Sequence, residues 1–341
     1  MTVTKQRKKG MKYAILAAIM VACAVICRIM GKIDCHLIFF SLMRSLIYIG
    51  LYIGWGITVS RRVVHKAVLN CLVSVSCLTV FWFVVRTMKY FFVVEPVAAR
   101  QLWYWYYLPM LFIPLLSVFV AMSLGQPENF RLPKWTALLY IPTALCLVLV
   151  LTNDWHQLVF SFPAGEVWTD GNNSYEPGYY IVVVWAITCA LTAFIMMVFK
   201  CRLSHRKKYL PGIVILLSVV YVIIYASGAE WMQIIGGDIT AALCLMFTLI
   251  LESCIQCGLI QTNTGYEALF EIGTIKAQIT DRDHLTQYAS SNAMIISKGL
   301  MRAAENGKIK LDKNTLLGSS PISGGHVICP LSSRQVKYLK N

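Results

Sequence analysis

Long apolar runs alternate with short polar breaks over the first three quarters of the chain. Eight runs stand out: Tyr13–Met30, Leu37–Val59, Ala67–Val85, Leu102–Leu124, Thr136–Leu151, Tyr179–Phe199, Leu210–Ala226 and Ile239–Cys257. A bilayer core takes about 20 residues of helix, and the fifth and seventh runs are short against that length. The pattern predicts an all-α polytopic membrane bundle of eight transmembrane helices. Pro109, Pro114 and Pro142 fall inside runs, where each removes a backbone hydrogen bond and kinks the helix.

From Gly258 the character changes, and no further span follows. "NTGYEALFE" reads as a short helix, with Thr264 as cap and Glu267 three residues on. Two strands are expected around "DRDH", and a helix in "AMIISKGLMRAAENG" closed by Gly307. A second strand pair is expected around Gly324 and Gly325. The chain divides into a basic head and anchor helix (1–36), a membrane region (37–258), a small α+β segment (259–328) and an atypical tail (329–341).

Composition agrees with a membrane protein. Hydrophobic residues make up 57% and charged residues 14%, against roughly a quarter charged in soluble domains. The net charge of +15 does not point to nucleic acid, because the basic residues gather between apolar runs. Alternate connections hold fifteen and five Lys and Arg. The heavier set faces the cytoplasm, so with eight spans both termini are cytoplasmic. The basic head before "YAILAAIMVACAVIC" also fits a signal peptide, but no small-x-small cleavage site stands out and the run is read as retained. The twelve cysteines lie mostly inside apolar runs and make no disulfide framework. Cys254 and Cys257 form one lone CxxC, short of a metal site without further ligands. No metal and no cofactor is expected.

Candidate chemistry collects on the outer side. The stretch "LTNDWHQLVFSF" ends the fifth run with Asn153, Asp154, Trp155 and His156. It opens a loop with four acids, no basic residue, and Trp168 and Asp170. Aromatic faces with a few acceptors suit a small cationic, peptidic or amphipathic ligand. Asp154 and His156 form a candidate titrating pair, while a plain helix cap or turn accounts for Asn153 and Asp154 equally. A second outer stretch, "SGAEWMQIIGGDIT", carries Glu230, Trp231 and Asp238, and Asp238 is placed to cap the last span. Arg44 sits seven residues into the second run. A cation at that depth is costly unless it pairs, with Asp34 or the outer acids as partners. Arg86 and Lys89 end the third run and are expected to snorkel to the outer interface, with Arg86 also a candidate for pairing inside the bundle.

"LMRSLIYIGLYIGWG", "FVVRTMKYFFV", "WYWYYLPMLFIPLL", "RLPKWTALLYIP" and "LTNDWHQLVFSF" resemble the seven-helix sensor region at the N-terminus of bacterial histidine kinases. The resemblance continues through "ESCIQCGLIQTNTGYEALF" and "AQITD" into "LDKNTLLGSSPISGGHV", covering roughly residues 37–328. It implies a ligand-sensing module followed by a PAS-like segment, with the first run as an additional N-terminal helix. It also implies a phosphoacceptor helix pair and an ATP-binding domain further on. Here no His is followed by an acidic residue, no D-x-G-x-G loop occurs, and "CPLSSRQVKYLKN" after Ile328 reads like a truncation or frame change.

The expected function is therefore the membrane input module of a two-component histidine kinase, here not itself an enzyme. An outside ligand biases the bundle, and the last helix runs on through "LESCIQCGLIQTNTGYEALF" to hand the change to the PAS-like segment. Expected partners are an unidentified small ligand, the lipid bilayer, and a second copy or a full-length sensor kinase. Nucleic acid is not among them. The other class considered is a transporter or channel, against which no inverted repeat or matching pair of broken spans is seen.

Overall fold

The structure, a computed structural model, describes residues 3–33, 37–124, 130, 132–163, 168, 169, 172–200, 209–228, 238–260, 262, 278–281, 286–289, 296, 298–305, 309–312, 315–322 and 325–332. They fall into two compact units, Ala14–Thr262 and Asn263–Asn341 together with Met1–Tyr13.

The first unit is helical, with α1 entering it from Ala14 onward. Its helices are α1 (Val3–Ile33), α2 (Leu37–Arg62), α3 (Lys66–Phe91), α4 (Pro96–Tyr104), α5 (Tyr107–Ser123), α6 (Tyr140–Leu151), the single turn α7 (Asn153–His156), α8 (Pro177–Lys200), α9 (Leu210–Ala226) and α10 (Ile239–Gln256). Seven stretches among the described residues are long and apolar enough to cross a membrane: Lys12–Gly31, Ile38–Arg62, Lys66–Phe91, Pro96–Ser123, Lys134–Leu151, Pro177–Lys200 and Ile239–Gln256. Leu210–Tyr225 is a shorter apolar helix.

Two of the prolines explain local breaks. Pro109 has no N–H for the carbonyl of Trp105, four residues back, and there the fourth span divides into α4 and α5. Pro142 withholds the same bond from Leu138, and the stretch Lys134–Leu139 winds as a tighter 3-10 helix before α6. Pro114 lies within α5 without ending it.

The exposed faces are apolar. On α8, Ile181, Val184, Ile187, Leu191, Ile195 and Val198 point outward at helical spacing. Val182, Ala186, Cys189, Ala193 and Met197 form its buried stripe. An outward face with this composition needs hydrocarbon rather than water around it, and the small residues on the inner stripe let α8 approach α5. The central core joins Tyr52, Leu72, Phe83, Leu115, Ile250 and Leu251 from α2, α3, α5 and α10.

Packing is closest between α2 and α3. A Cβ on Gly56 would lie 2.4 Å from Ser76 Oγ, and that hydroxyl is held by donating to the Tyr52 carbonyl at 2.8 Å. Gly56→Ala is expected to lower the unfolding midpoint in detergent, at a cost of roughly 1–3 kcal/mol. Adding Ser76→Gly should recover part of it. A midpoint unchanged in the single variant would mean that the helices have room to separate.

α10 does not continue as helix through the polar stretch that follows it, correcting the expectation of a long last helix. Gly258 takes a positive φ of 81°, the usual helix stop. The amide of Leu259 turns back to the Cys254 carbonyl at 3.0 Å. Leu259 and Ile260 then bury in the bundle core, and Thr262 forms a backbone bridge with Val63, just beyond α2.

The described residues of the second unit contain a five-stranded antiparallel sheet. Its strands are β3 (Gln278–Asp281), β4 (Thr286–Ala289), β5 (Ile309–Asp312), β6 (Thr315–Ile322) and β7 (Gly325–Ser332), in the order β4-β3-β7-β6-β5. A short helix, α11 (Lys298–Glu305), supplies Met301 and Ala304 to a small core with Leu317 and Ile328. Both expected strand pairs are present, and β5 adds a strand that local alternation did not signal. β7 runs beyond Ile328 to Ser332, with Cys329 opposite Gly318 and Pro330 opposite Leu317, so the boundary expected at 328 falls inside a strand. The helix expected in "NTGYEALFE", and His284 of "DRDH", lie outside the described residues.

Candidate functional site

Polar residues concentrate at the end of the bundle where α10 begins. α6 runs out of apolar sequence at Leu151, and Asn153–His156 makes one further turn. Gln157, with φ of +50°, then reverses the chain. Asn153 is fully buried and uses both ends of its amide. Its oxygen accepts from the amides of Val159 and Phe160 at 2.9 and 3.0 Å. Its nitrogen donates to the Phe160 carbonyl at 2.9 Å and to Tyr104 Oη at 3.2 Å. Asn153 thus pins the start of a two-stranded loop, β1 (Phe160–Ser161) against β2 (Ser174–Tyr175). Phe160 fills the space beneath, against Trp103, Tyr104, Tyr107, Tyr175 and Tyr179.

Asp154 points the other way, to α4. Arg100 lies 3.1 Å away, Gln101 donates at 2.6 Å and the Tyr104 hydroxyl at 2.7 Å. His156 makes separate contacts, accepting from the Leu158 amide at 2.9 Å and meeting Thr152 Oγ1 at 3.2 Å. The structure therefore gives Asp154 and His156 different partners rather than each other. Trp155 is 88% exposed. Trp168 meets Trp103 at a tilt, with ring centroids 6.0 Å apart, and presents its ring to the Lys89 amine at 5.0 Å. Lys89 is buried among the rings of Tyr90, Tyr106 and Trp168. Desolvated cations gain most from such faces. Lys89 therefore turns into the protein rather than snorkelling outward.

The second cluster centres on Asp238, before the first turn of α10. Its Oδ1 accepts from the Ala241 amide at 3.2 Å, capping the helix. The same oxygen takes Arg86 of α3 at 2.5 Å. Its Oδ2 faces Arg44 of α2 at 3.5 Å and Arg28 of α1 at 4.0 Å. Burial pushes the Asp238 carboxyl up, but Arg86 and Arg44 outweigh it and hold the group below the usual carboxylate range. Arg86 ends on this carboxylate instead of reaching the interface, because the pair relieves the cost of burying its charge. Four helices thus meet at one acid. Arg44, Ser41, Ser45 and Arg86 also line a cavity of about 270 Å³ beside the cluster.

A third ionic contact, at the opposite end of α10, was not singled out by the sequence. Glu252 accepts both arms of Arg62 at 2.9 Å each. It also takes the Trp55 indole at 3.1 Å and the Gln256 amide at 2.7 Å. An acid inside an otherwise apolar run was the available signal. Cys257 of the CxxC only donates its thiol to the Cys254 carbonyl, and no group of three metal-binding side chains occurs among the described residues. Asp170, Glu230, Trp231 and Asp34 lie outside the described residues.

These geometries describe a helical bundle whose last helix is tied by charge at both ends. Residues 37–256 match the family described as the N-terminal 7TM region of histidine kinase. No curated protein and no solved structure matches the chain. The matched stretch takes in α2 to α10, with the Asp238 cluster and the Glu252 contact both inside it. The chain belongs to the family of N-terminal seven-transmembrane regions of histidine kinases.

Proposed function

We propose that this chain is the membrane sensor module of a two-component system. A ligand reaching the bundle from outside the cell, or from within the bilayer, shifts α10 relative to α2 and α3. The shift passes to the C-terminal α+β unit. The observation that carries this reading is the double anchoring of α10, to Arg44 and Arg86 through Asp238 and to Arg62 through Glu252. Charge pairs of this kind hold an element in one of two discrete arrangements, and a ligand with different affinity for the two moves the balance.

Several features support the finer points. Among the described residues, the matched region contains seven apolar helices when the short α9 counts as a span, and α1 then makes eight. The excess of basic residues on alternate connections supports a cytoplasmic side for both termini. The five-stranded antiparallel sheet, with its last strand beside its first and a helix on it, supports a PAS-like unit. Residues 1–341 contain no phosphoacceptor or ATP-binding motif, so the catalytic step belongs to a kinase core elsewhere. Pairing with a full-length sensor kinase would bring that core beside the module.

The exit of α10 is where this reading is tested. Arg62 and Glu252 are each about a quarter exposed, so their pair contributes at most about 1 kcal/mol. Glu252→Gln should therefore leave expression and folding intact. In a hybrid that carries a kinase core after residue 332, it should shift basal phosphorylation of the cognate regulator by up to about fivefold. Output that is identical in Glu252→Gln, Arg62→Gln and the parent would remove α10 as the transmitting element. Solute uptake into proteoliposomes holding the chain would favour a transporter instead.

A further inference from the structure

The cavity beside Asp238 is a site that the sensor reading does not require. Its lining includes the polar side chains of Arg44, Arg86, Ser41, Ser45 and Tyr90, and its apolar rim includes Ile38 and Phe91. Arg86 is satisfied by Asp238 at short range. Arg44 is not: its one ionic contact is the 3.5 Å approach to Asp238. Its guanidinium makes no hydrogen bond among the described residues, although it carries five N–H donors. Its side chain is only 12% exposed. Ser41, one turn earlier on α2, also leaves its hydroxyl without a partner among the described residues, while Ser45 spends its own on the Ser41 carbonyl. A buried cation with unspent donors, a second guanidinium and a free hydroxyl thus converge on one space.

We propose that this cavity binds an anionic head, a carboxylate or phosphate, that carries an apolar chain. Guanidinium groups match the oxygens of such heads with directed, charge-assisted bonds. The volume of about 270 Å³, just below the usual range of about 300–1,000 Å³ for ligand pockets, holds a head and a short apolar portion. Ile38 and Phe91 offer the chain a surface continuous with the lipid-facing side. Binding gives Arg44 the partners it lacks and draws it and Arg86 from Asp238, the cap of α10. The inference rests on the sensor reading only for its consequence; the site stands without it.

The test uses the full chain in phosphatidylcholine nanodiscs, with octyl phosphate below its micellar concentration as the probe and the thermal midpoint as the readout. Octyl phosphate should raise the midpoint of the parent saturably, and inorganic phosphate should do so at least tenfold more weakly. Arg44→Gln should lose the response, Arg44→Lys should keep part of it, and Lys66→Gln, at the other end of α3, should keep all of it. Ser41→Leu, which fills the cavity without changing charge, should also abolish it and serves if Arg44→Gln does not fold. Nanodiscs containing phosphatidylglycerol separate the sources. A midpoint already raised there, with no further response, identifies a lipid head. An unchanged response identifies a ligand arriving from solution. An absent response in the parent, or one equal in Arg44→Gln and Ser41→Leu, overturns the site. A site that binds octyl phosphate while the hybrid kinase ignores it leaves the site standing and removes the sensor reading.

Discussion

Asp238→Ala is expected to cost about 3–5 kcal/mol, the price of leaving buried charge uncompensated when one partner is removed. Arg86 would lose its 2.5 Å partner and Arg44 its one ionic contact, both on side chains less than a fifth exposed. α10 would lose its cap at the Ala241 amide, typically worth about 1 kcal/mol. Asp238→Asn separates the two contributions, because asparagine caps as well as aspartate but carries no charge. It should fall between the parent and Asp238→Ala in thermal unfolding. Asp238→Ala combined with Arg86→Leu should be less destabilised than the sum of the single variants, because the orphaned cation is gone. If Asp238→Ala and the parent unfold alike, the arginines are balanced by other groups and the cluster is not a tie. Acid does not mimic the variant at moderate pH. The folded-state carboxyl lies below its ordinary value. The contribution is therefore whole above the ordinary carboxylate range and is lost only as pH falls through the depressed value.

Asn153→Ala is expected to cost about 2–4 kcal/mol, from buried backbone groups left without partners at about 1–3 kcal/mol each. The amides of Val159 and Phe160 would face a methyl group, and the Phe160 carbonyl would lose its donor. The loop β1–β2 should open first, detected as faster proteolysis between Gln157 and Tyr175 at temperatures where the helices persist. Asn153→Asp keeps the acceptor for both amides but sets an oxygen against the Phe160 carbonyl, and should be intermediate. Trp155→Ala, at an 88% exposed position, should be near neutral and is the control. Proteolysis and midpoint both unchanged in Asn153→Ala would mean that the aromatic packing around Phe160 holds the loop without the latch.

These two residues show how much of the site the sequence carries. "LTNDWHQ" announced a polar turn at the end of a span, and Asp238 announced a helix start. Neither announced its partners. Asn153 and Asp154 are neighbours and meet at the Tyr104 hydroxyl, yet one latches the loop beyond it and the other takes Arg100 and Gln101 of α4. Side chains on successive residues leave a helical turn in different directions, so adjacency did not say how the work divides. The expected pairing of Asp154 with His156 fails for that reason: each finds closer partners on its own side of the turn. The expected outward reach of Arg86 and Lys89 depended on treating α3 as a lone helix. In the bundle, a carboxylate and three rings lie nearer than the interface. Glu252 was legible as an acid in an apolar run, but its meaning came only with Arg62.

The sequence by itself determined that the apolar runs are membrane-type helices, seven of them long enough to cross a bilayer among the described residues, and it determined the strand pairs of the C-terminal unit. These follow from local physics: an apolar run of bilayer length must close its own backbone hydrogen bonds as helix, and alternation marks a sheet face within a few residues. The stop after α10 was not read there, although Gly258, with its positive φ of 81°, ends the helix by its own backbone freedom. Tertiary structure alone decided which charges meet. Arg86 and Asp238 are 152 residues apart along the chain, and Arg62 and Glu252 are 190 apart. Their contact depends on how helices are arranged side by side, which the burial of uniformly apolar faces specifies only through the fit of small residues such as Gly56 against Ser76. That arrangement gathers three arginines around one carboxylate and leaves Arg44 facing a cavity.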